Sequence, residues 1–192
     1  MTAPADIWRK LGGRGAAPAR LGRHGGPLLI MGGGRTLWAD VAAAEPWPGE
    51  RMAINDAGAH FHGIVSHWVT LHPEYLPGWR AYRRGHCYGE GRTPVCHAAR
   101  VAEGVDVAWP MENLGGTSGL FACYVGLMLG YDRIVLAGVP MDNAGHYFDP
   151  PRVATDFEAE GTAEVWQQAR DRIFHGRVTS LSGRTREWLG AP

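Results

Sequence analysis

Lysine is almost missing from this chain. Lys10 stands alone against eighteen arginines, a bias that reflects genome composition more than chemistry, although arginine suits phosphate ligands. A net charge is missing as well: 19 basic residues balance 19 acidic ones, which removes the global electrostatic footprint of a nucleic-acid or anionic-membrane binder. No uninterrupted apolar run approaches bilayer length and the N-terminal residues carry no apolar signal core. The expectation is a soluble, cytoplasmic protein with no membrane span and no nucleic-acid partner. Cysteine is scarce, and Cys87, Cys96 and Cys123 form an odd set in a chain of 192 residues, 45% of them hydrophobic. That length buries one core without disulfides and is too short for two ordinary domains.

Common motifs of nucleotide and metal chemistry are incomplete too. No G-K-[ST] of a P-loop occurs, and Leu37 stands where the third glycine of G-x-G-x-x-G belongs. A serine-hydrolase elbow fails at Leu120, which replaces the last glycine of G-x-S-x-G. His60, His62, His67, His72 and His97, with Cys87 and Cys96, match neither C-x-x-C nor H-E-x-x-H spacing, so no metal site is expected among them. Asp132, Asp142 and Asp149 offer magnesium only a place on bound phosphates.

What is present reads as two regions. Residues 1–26 are rich in Gly, Pro and Arg and read as a flexible N-terminal arm, with Trp8 and Leu11 as its anchors. Residues 27–192 alternate short apolar runs with helical periodicity, the pattern of an α/β, Rossmann-like three-layer sandwich with a mostly parallel sheet. Strands are expected at Pro27 to Met31, Arg51 to Ile54, His67 to Leu71, Arg133 to Ala137 and Arg177 to Leu181. Helices are expected from Thr36, with Leu37, Trp38, Val41 and Ala44 on one side, and over Pro77 to Arg84, Leu120 to Leu129, Thr162 to Phe174 and Arg184 to Leu189. Gly130 closes the third of these helices in the left-handed position a helix end favours. Gly85 to Pro110 resists assignment beyond a strand near Val105 to Trp109, and a polar loop is expected up to about Gly161.

In an open parallel sheet, ligands sit outside the carboxyl ends of the strands. The unusual residues fall there repeatedly: Gly32-Gly33-Gly34, Asn55-Asp56, His72-Pro73-Glu74 and Pro140-Met141-Asp142 each end a strand. The glycine run lets backbone amides approach a ligand beside a helix N-terminus. Gly116, Thr117 and Ser118 open the most apolar helix with two hydroxyls, which serve as a helix cap or as an anion contact. Asp142 to Asp149 gathers two acids, an imidazole and a phenol beside Gly145, a density that suits a loop closing over a substrate.

The segment GTSGLFACYVGLMLGYDRIVLAGVPMD, Gly116 to Asp142, resembles the T-S-G, apolar helix, L-G-Y, strand, G-I-D signature of bacterial CMP-sialic-acid-dependent sialyltransferases. It is also similar to the related Rossmann-like proteins termed 6-hydroxymethylpterin diphosphokinase-like. GGGRTL, IND, HPE and RVTSLSGRTREWLG agree with that pattern in order, as in a short relative of phage type. The resemblance implies a nucleotide or nucleotide sugar held by Gly32, Gly33, Gly34, Thr36, Asn55, His72, Gly116, Thr117 and Ser118, with Tyr147 at the phosphates. The proton-transfer groups of the loop itself make His146 or Asp142 the expected base, with Asp142 otherwise orienting His146 or holding a metal, and Arg35 assisting electrostatically. No tightly bound cofactor is expected, and magnesium, if used, arrives with the nucleotide. The expected function is a nucleotide-dependent transferase moving a glycosyl group. ATP-dependent pyrophosphoryl transfer and a non-catalytic nucleotide-binding accessory role of phage or prophage origin stand as alternatives, and the sequence leaves homo-oligomerisation open.

Overall fold

The computed structural model describes residues 2–149 and 159–192. Seven strands form one sheet: β1 (Pro27–Met31), β2 (Glu50–Ile54), β3 (His67–Thr70), β4 (Val95–Ala98), β5 (Val107–Ala108), β6 (Arg133–Ala137) and β7 (Val178–Ser180). Their order is β5-β4-β3-β2-β1-β6-β7, and every pairing is parallel. The order reverses between β1 and β6. That switch point opens the crevice in which ligands bind in doubly wound sheets.

Period-two alternation divides the core into two layers. Leu28 and Ile30 of β1 face one way, with Met52, Ile54, Ile134 and Leu136, and pack beneath α5 (Ser118–Leu129). Leu29 and Met31 face the other way, with Trp68, Val135 and Ala137, toward α2 (Leu37–Ala44), the short α3 (Ala57–His60) and α4 (Leu76–Gly85). Every α5 residue from Gly119 to Leu129 is buried. A helix apolar all round must be covered on its far side as well, and the structure supplies the cover.

That cover comes from the segment read as an arm. α1 (Pro4–Lys10) lies against α5 with Ile7, Trp8 and Leu11 buried in the core, and Trp8 meets Trp109 edge to face. Ile7, Trp8 and Leu11 recur at helical spacing, so α1 has an apolar stripe, and burying it stabilises each large side chain by roughly 1.5–3 kcal/mol. Residues Gly22 and His24 then donate their backbone N–H groups to the carbonyls of Met128 and Leu129, both at 2.8 Å. The described arm is thus docked on the domain, and it satisfies the last carbonyls of α5.

The other expected strands and helices lie within two or three residues of those observed, whereas α1, α3 and the 3₁₀ turn Pro73–Tyr75 had no counterpart among them. β4 was not anticipated, because Val95-Cys96-His97-Ala98 hides an interior histidine in a short strand. Trp38 sits exposed at the rim, whereas Leu37 and Val41 turn inward. The fourth long helix, α6 (Ala159–Ala169), ends in a π-helical turn, Arg170–Phe174, before β7 and α7 (Gly183–Leu189). Most of the expected polar loop up to Gly161 lies outside the described residues. Among the described residues no helix is long and apolar enough to cross a membrane.

Candidate functional site

At the switch point a cleft of about 270 Å³ opens between the ends of β1, β2 and β6 and the start of α5. Gly32, Gly33 and Gly34 line one side, Asn55 and His72 the next, Gly116, Thr117 and Ser118 the third, and Asp142 and His146 the fourth. The sequence-based set therefore converges on one cleft, with two exceptions among its members. Thr36 and Tyr147 are not in the lining.

Thr36 serves the scaffold. Its hydroxyl bonds to Asp40 Oδ2 at 2.9 Å, Ser182 Oγ reaches the same oxygen at 2.5 Å, and Gly138 N–H donates to it at 2.8 Å. Asp40, buried at the start of α2, thereby ties α2 to the end of β6 and to the β7–α7 turn. The glycines also do more than face a ligand. A Cβ on Gly34 would stand 2.3 Å from the Pro140 ring, and one on Gly32 would stand 2.7 Å from the Gly138 carbonyl. The β1 and β6 loops pass too closely for side chains, which is the packing role of glycine.

Asn55 is held in a left-handed conformation at φ 51°, which asparagine tolerates better than most residues. Its Oδ1 accepts from the Thr70 hydroxyl at 2.8 Å, so its amide nitrogen is the donor turned toward Ser118 Oγ, 3.4 Å away. The amide orientation is fixed by that pair. Thr117 caps α5, its hydroxyl oxygen accepting from Leu120 N–H at 3.2 Å. Gly116, left-handed at φ +74°, has open space where a side chain would stand.

The loop after β6 folds back so that His146 bridges to Gly34 in antiparallel fashion. His146 Nδ1 lies 3.0 Å from Asp149 Oδ2, which also accepts the His146 backbone N–H at 2.8 Å. That backbone hydrogen bond, followed by the one from the ring, holds the Asp149 carboxyl below its usual range. With Nδ1–H committed to Asp149, Nε2 is the basic nitrogen. Asp149 takes the orienting position that the sequence reading gave to Asp142. The Asp142 carboxylate instead accepts from Ala144 N–H at 3.0 Å, closing a local turn. Arg35 binds the loop from outside, donating to the carbonyls of Ala144 at 2.6 Å and Asp149 at 3.2 Å.

Tyr147 points the other way, behind Gly33, and packs against Trp38 and His60. Adjacent residues of an extended segment face opposite sides, which is why Tyr147 leaves the cleft when His146 enters it. Its phenol is turned to Asp56, whose carboxyl is pushed up by burial against the opposing pull of Tyr147. Asp56 Oδ1 and the His146 ring approach Gly33 from two directions, 3.2 and 3.4 Å from the place of a Cβ. Sequence reasoning missed Asp149 as the partner of His146; the signal was a three-residue spacing inside a turn.

A second polar cluster lies toward the opposite, amino edge of the sheet. Trp109 Nε1–H donates to His97 Nδ1 at 3.1 Å, His97 Nε2 meets His67 Nδ1 at 3.0 Å, and His67 Nε2 meets Tyr131 Oη at 2.8 Å. Tyr131 Oη lies 3.1 Å from His24 Nδ1, and Glu50 flanks both His24 and His67. His24, Glu50 and His67 are close enough together to suggest a metal site. The indole proton decides otherwise. His97 must accept at Nδ1 and donate from Nε2, so His67 accepts at Nδ1 and carries its proton on Nε2, where a metal would need a lone pair.

Neither a family model nor a curated protein sequence matches this chain. Solved structures do. The sialyltransferase CstII from Campylobacter jejuni, in complex with cytidine-5'-monophosphate, superposes with a TM-score of 0.59 at 14% identity, over 86% of this chain and 84% of that one. A complex of CST-II with a trisaccharide acceptor and CMP gives 0.57 at 13% identity, over 86% and 85%. The monofunctional α-2,3-sialyltransferase Cst-I from the same organism gives 0.60 at 12% identity, over 93% and 82%. At such identities the likeness is one of fold: this chain has the α/β fold of those sialyltransferases.

Proposed function

We propose that the chain is a glycosyltransferase that uses a nucleotide sugar, with the cleft at the switch point as its donor site. The observation that carries this reading is the His146–Asp149 pair, closed at 3.0 Å, on the wall of a cleft whose other walls are glycine turns, Asn55 and the N-terminus of α5. The amide of Asn55 and the Ser118 hydroxyl take the nucleoside, and the amides opening α5 take the phosphate. The acceptor hydroxyl oxygen attacks the anomeric carbon while the bond from that carbon to the phosphate oxygen breaks, and its electron pair leaves with the nucleotide. The hydroxyl proton passes to His146 Nε2, and Asp149 stabilises the imidazolium.

The fold likeness to proteins crystallised with CMP makes cytidine nucleotides the first to try. A melting screen with CMP, CDP, UDP, ADP and their sugars should single out one base, adding about 2.7 kcal/mol at a hundred times its Kd. Consumption of the matching donor should follow. No shift with any nucleotide at millimolar concentration overturns the reading, and binding without consumption assigns the accessory role instead.

A further inference from the structure

The cleft continues past Gly116. Beyond that glycine lies a larger depression of about 1020 Å³, which shares Gly116 with the cleft. One wall is α1 with the strip from Glu112 to Gly116, stitched to it by Asn113 N–H on the Leu11 carbonyl at 3.1 Å. The other wall is the end of α6 and the turn that follows. Leu11, Tyr124, Ala169 and Ile173 give an apolar floor, and at the far end the Lys10 ammonium reaches across to the Arg172 carbonyl at 3.2 Å.

The second wall is built from unusual backbone. The π-helical turn Arg170–Phe174 belongs to a rare class of turn concentrated at functional sites. His175 follows it in the left-handed region at φ 48°, costly for a residue with a side chain. Together they bring Arg172, Ile173 and His175 to the depression. Its charge is one-sided: Glu112 is paired with Arg14 at 3.0 Å, whereas Lys10 and Arg172 form no ion pair among the described residues.

We propose that this trough is the acceptor subsite and that it takes an acidic oligosaccharide of several units; the inference rests on the transferase reading above. Its volume lies at the upper end of small-ligand pockets and exceeds the needs of a single sugar. An apolar floor suits the faces of sugar rings, Asn113 and the carbonyl oxygen of Gln168, whose amide nitrogen is held by Glu164 at 3.0 Å, offer hydrogen bonds to hydroxyls, and the cationic end suits carboxylate, sulfate or phosphate groups.

The test is an array of neutral, uronic-acid, sialylated and phosphorylated oligosaccharides, from single sugars to longer chains, probed by the full chain with and without CMP. Acidic chains should be retained over neutral ones and over single sugars. The double variant Lys10→Glu/Arg172→Glu, altered at exposed positions, should lose roughly tenfold or more in affinity and keep its nucleotide melting shift. Gln168→Trp, which fills the trough from an exposed position, should do the same without a charge change. Absence of any glycan binding, a preference for neutral chains, or undiminished binding by both variants overturns the proposal. No glycan binding by the unmodified chain beside an intact nucleotide shift sinks the trough alone; glycan binding by the unmodified chain without any nucleotide shift sinks the transferase reading alone.

Discussion

At the amino edge of the sheet His24, Glu50, His67, His97 and Tyr131 crowd together as closely as His146, Asp149 and Asn55 do at the carboxyl edge, yet the two groups differ in where their hydrogen bonds end. The amino-edge chain starts on the Trp109 indole and runs through two buried histidines to a tyrosine. Each donor there finds a protein acceptor. At the carboxyl edge Asp149 fixes one nitrogen of His146 and Thr70 fixes one end of Asn55, and in each case the other end faces the cleft. Density of titratable groups therefore does not mark a site. Polar side chains fixed by protein partners on the wall of an open cleft do.

The sharpest way to separate the two edges is to remove the base. His146→Ala should lower donor turnover about a hundredfold to ten-thousandfold, roughly 3–5 kcal/mol of transition-state stabilisation, with nucleotide affinity and melting temperature close to wild type. Initial rates with the donor found by the melting screen measure it, and unchanged turnover would remove His146 from the mechanism.

Acid should act on the other edge. Burial, with the neighbouring His24 and against the pull of Glu50, pushes His67 down to about 4, and burial pushes His97 well below its usual value. The folded state refuses protons that the unfolded chain accepts, so stability is complete at neutral pH. It falls as pH drops below about 6.5, by on the order of 3 kcal/mol for His67 once pH 4 is passed. Glu50 acts in the same direction, since hydrogen bonds from Tyr131 and Ser66 outweigh its burial and hold it below the usual range. Melting temperatures across this range for wild type and His67→Gln check the point: the variant should show the shallower slope, and equal slopes would refute the relay.

A smaller effect tests positioning at the carboxyl edge. Asn55→Ala removes the donor facing Ser118 and should weaken nucleotide binding by roughly tenfold, about 1.4 kcal/mol. Isothermal titration measures it. A change confined to thermal stability would mean that Asn55 serves only Thr70.

The same contrast explains what was legible in the sequence. β1, β6 and α5 are continuous apolar runs whose burial needs no distant partner to be recognised; the strand-end rule pointed to Gly33 and Asn55, while Ser118 came from the hydroxyls opening the apolar helix and His146 from the loop dense in proton-transfer groups. β4 was not readable, because His97 is tolerable inside a sheet only through Trp109 and His67, one from a later segment and one from an earlier strand. Thr36 and Tyr147 were in the right loops and on the wrong sides of them. Which side a loop residue takes depends on where the backbone crosses its neighbour, here the bridge between Gly34 and His146, and composition carries no record of that crossing.

The docking of α1 on α5 also sets an order of events during synthesis. α1 leaves the ribosome long before α5, so its stripe of Ile7, Trp8 and Leu11 spends most of translation without the surface that will cover it. Domains fold as units while they emerge, but this one cannot close early: its first strand waits for β6 as its neighbour, and its first helix waits for the most apolar segment of the chain. Until then the nascent protein shows hydrophobic surface on α1 and along β1, and slow translation would lengthen its exposure to chaperones and to aggregation.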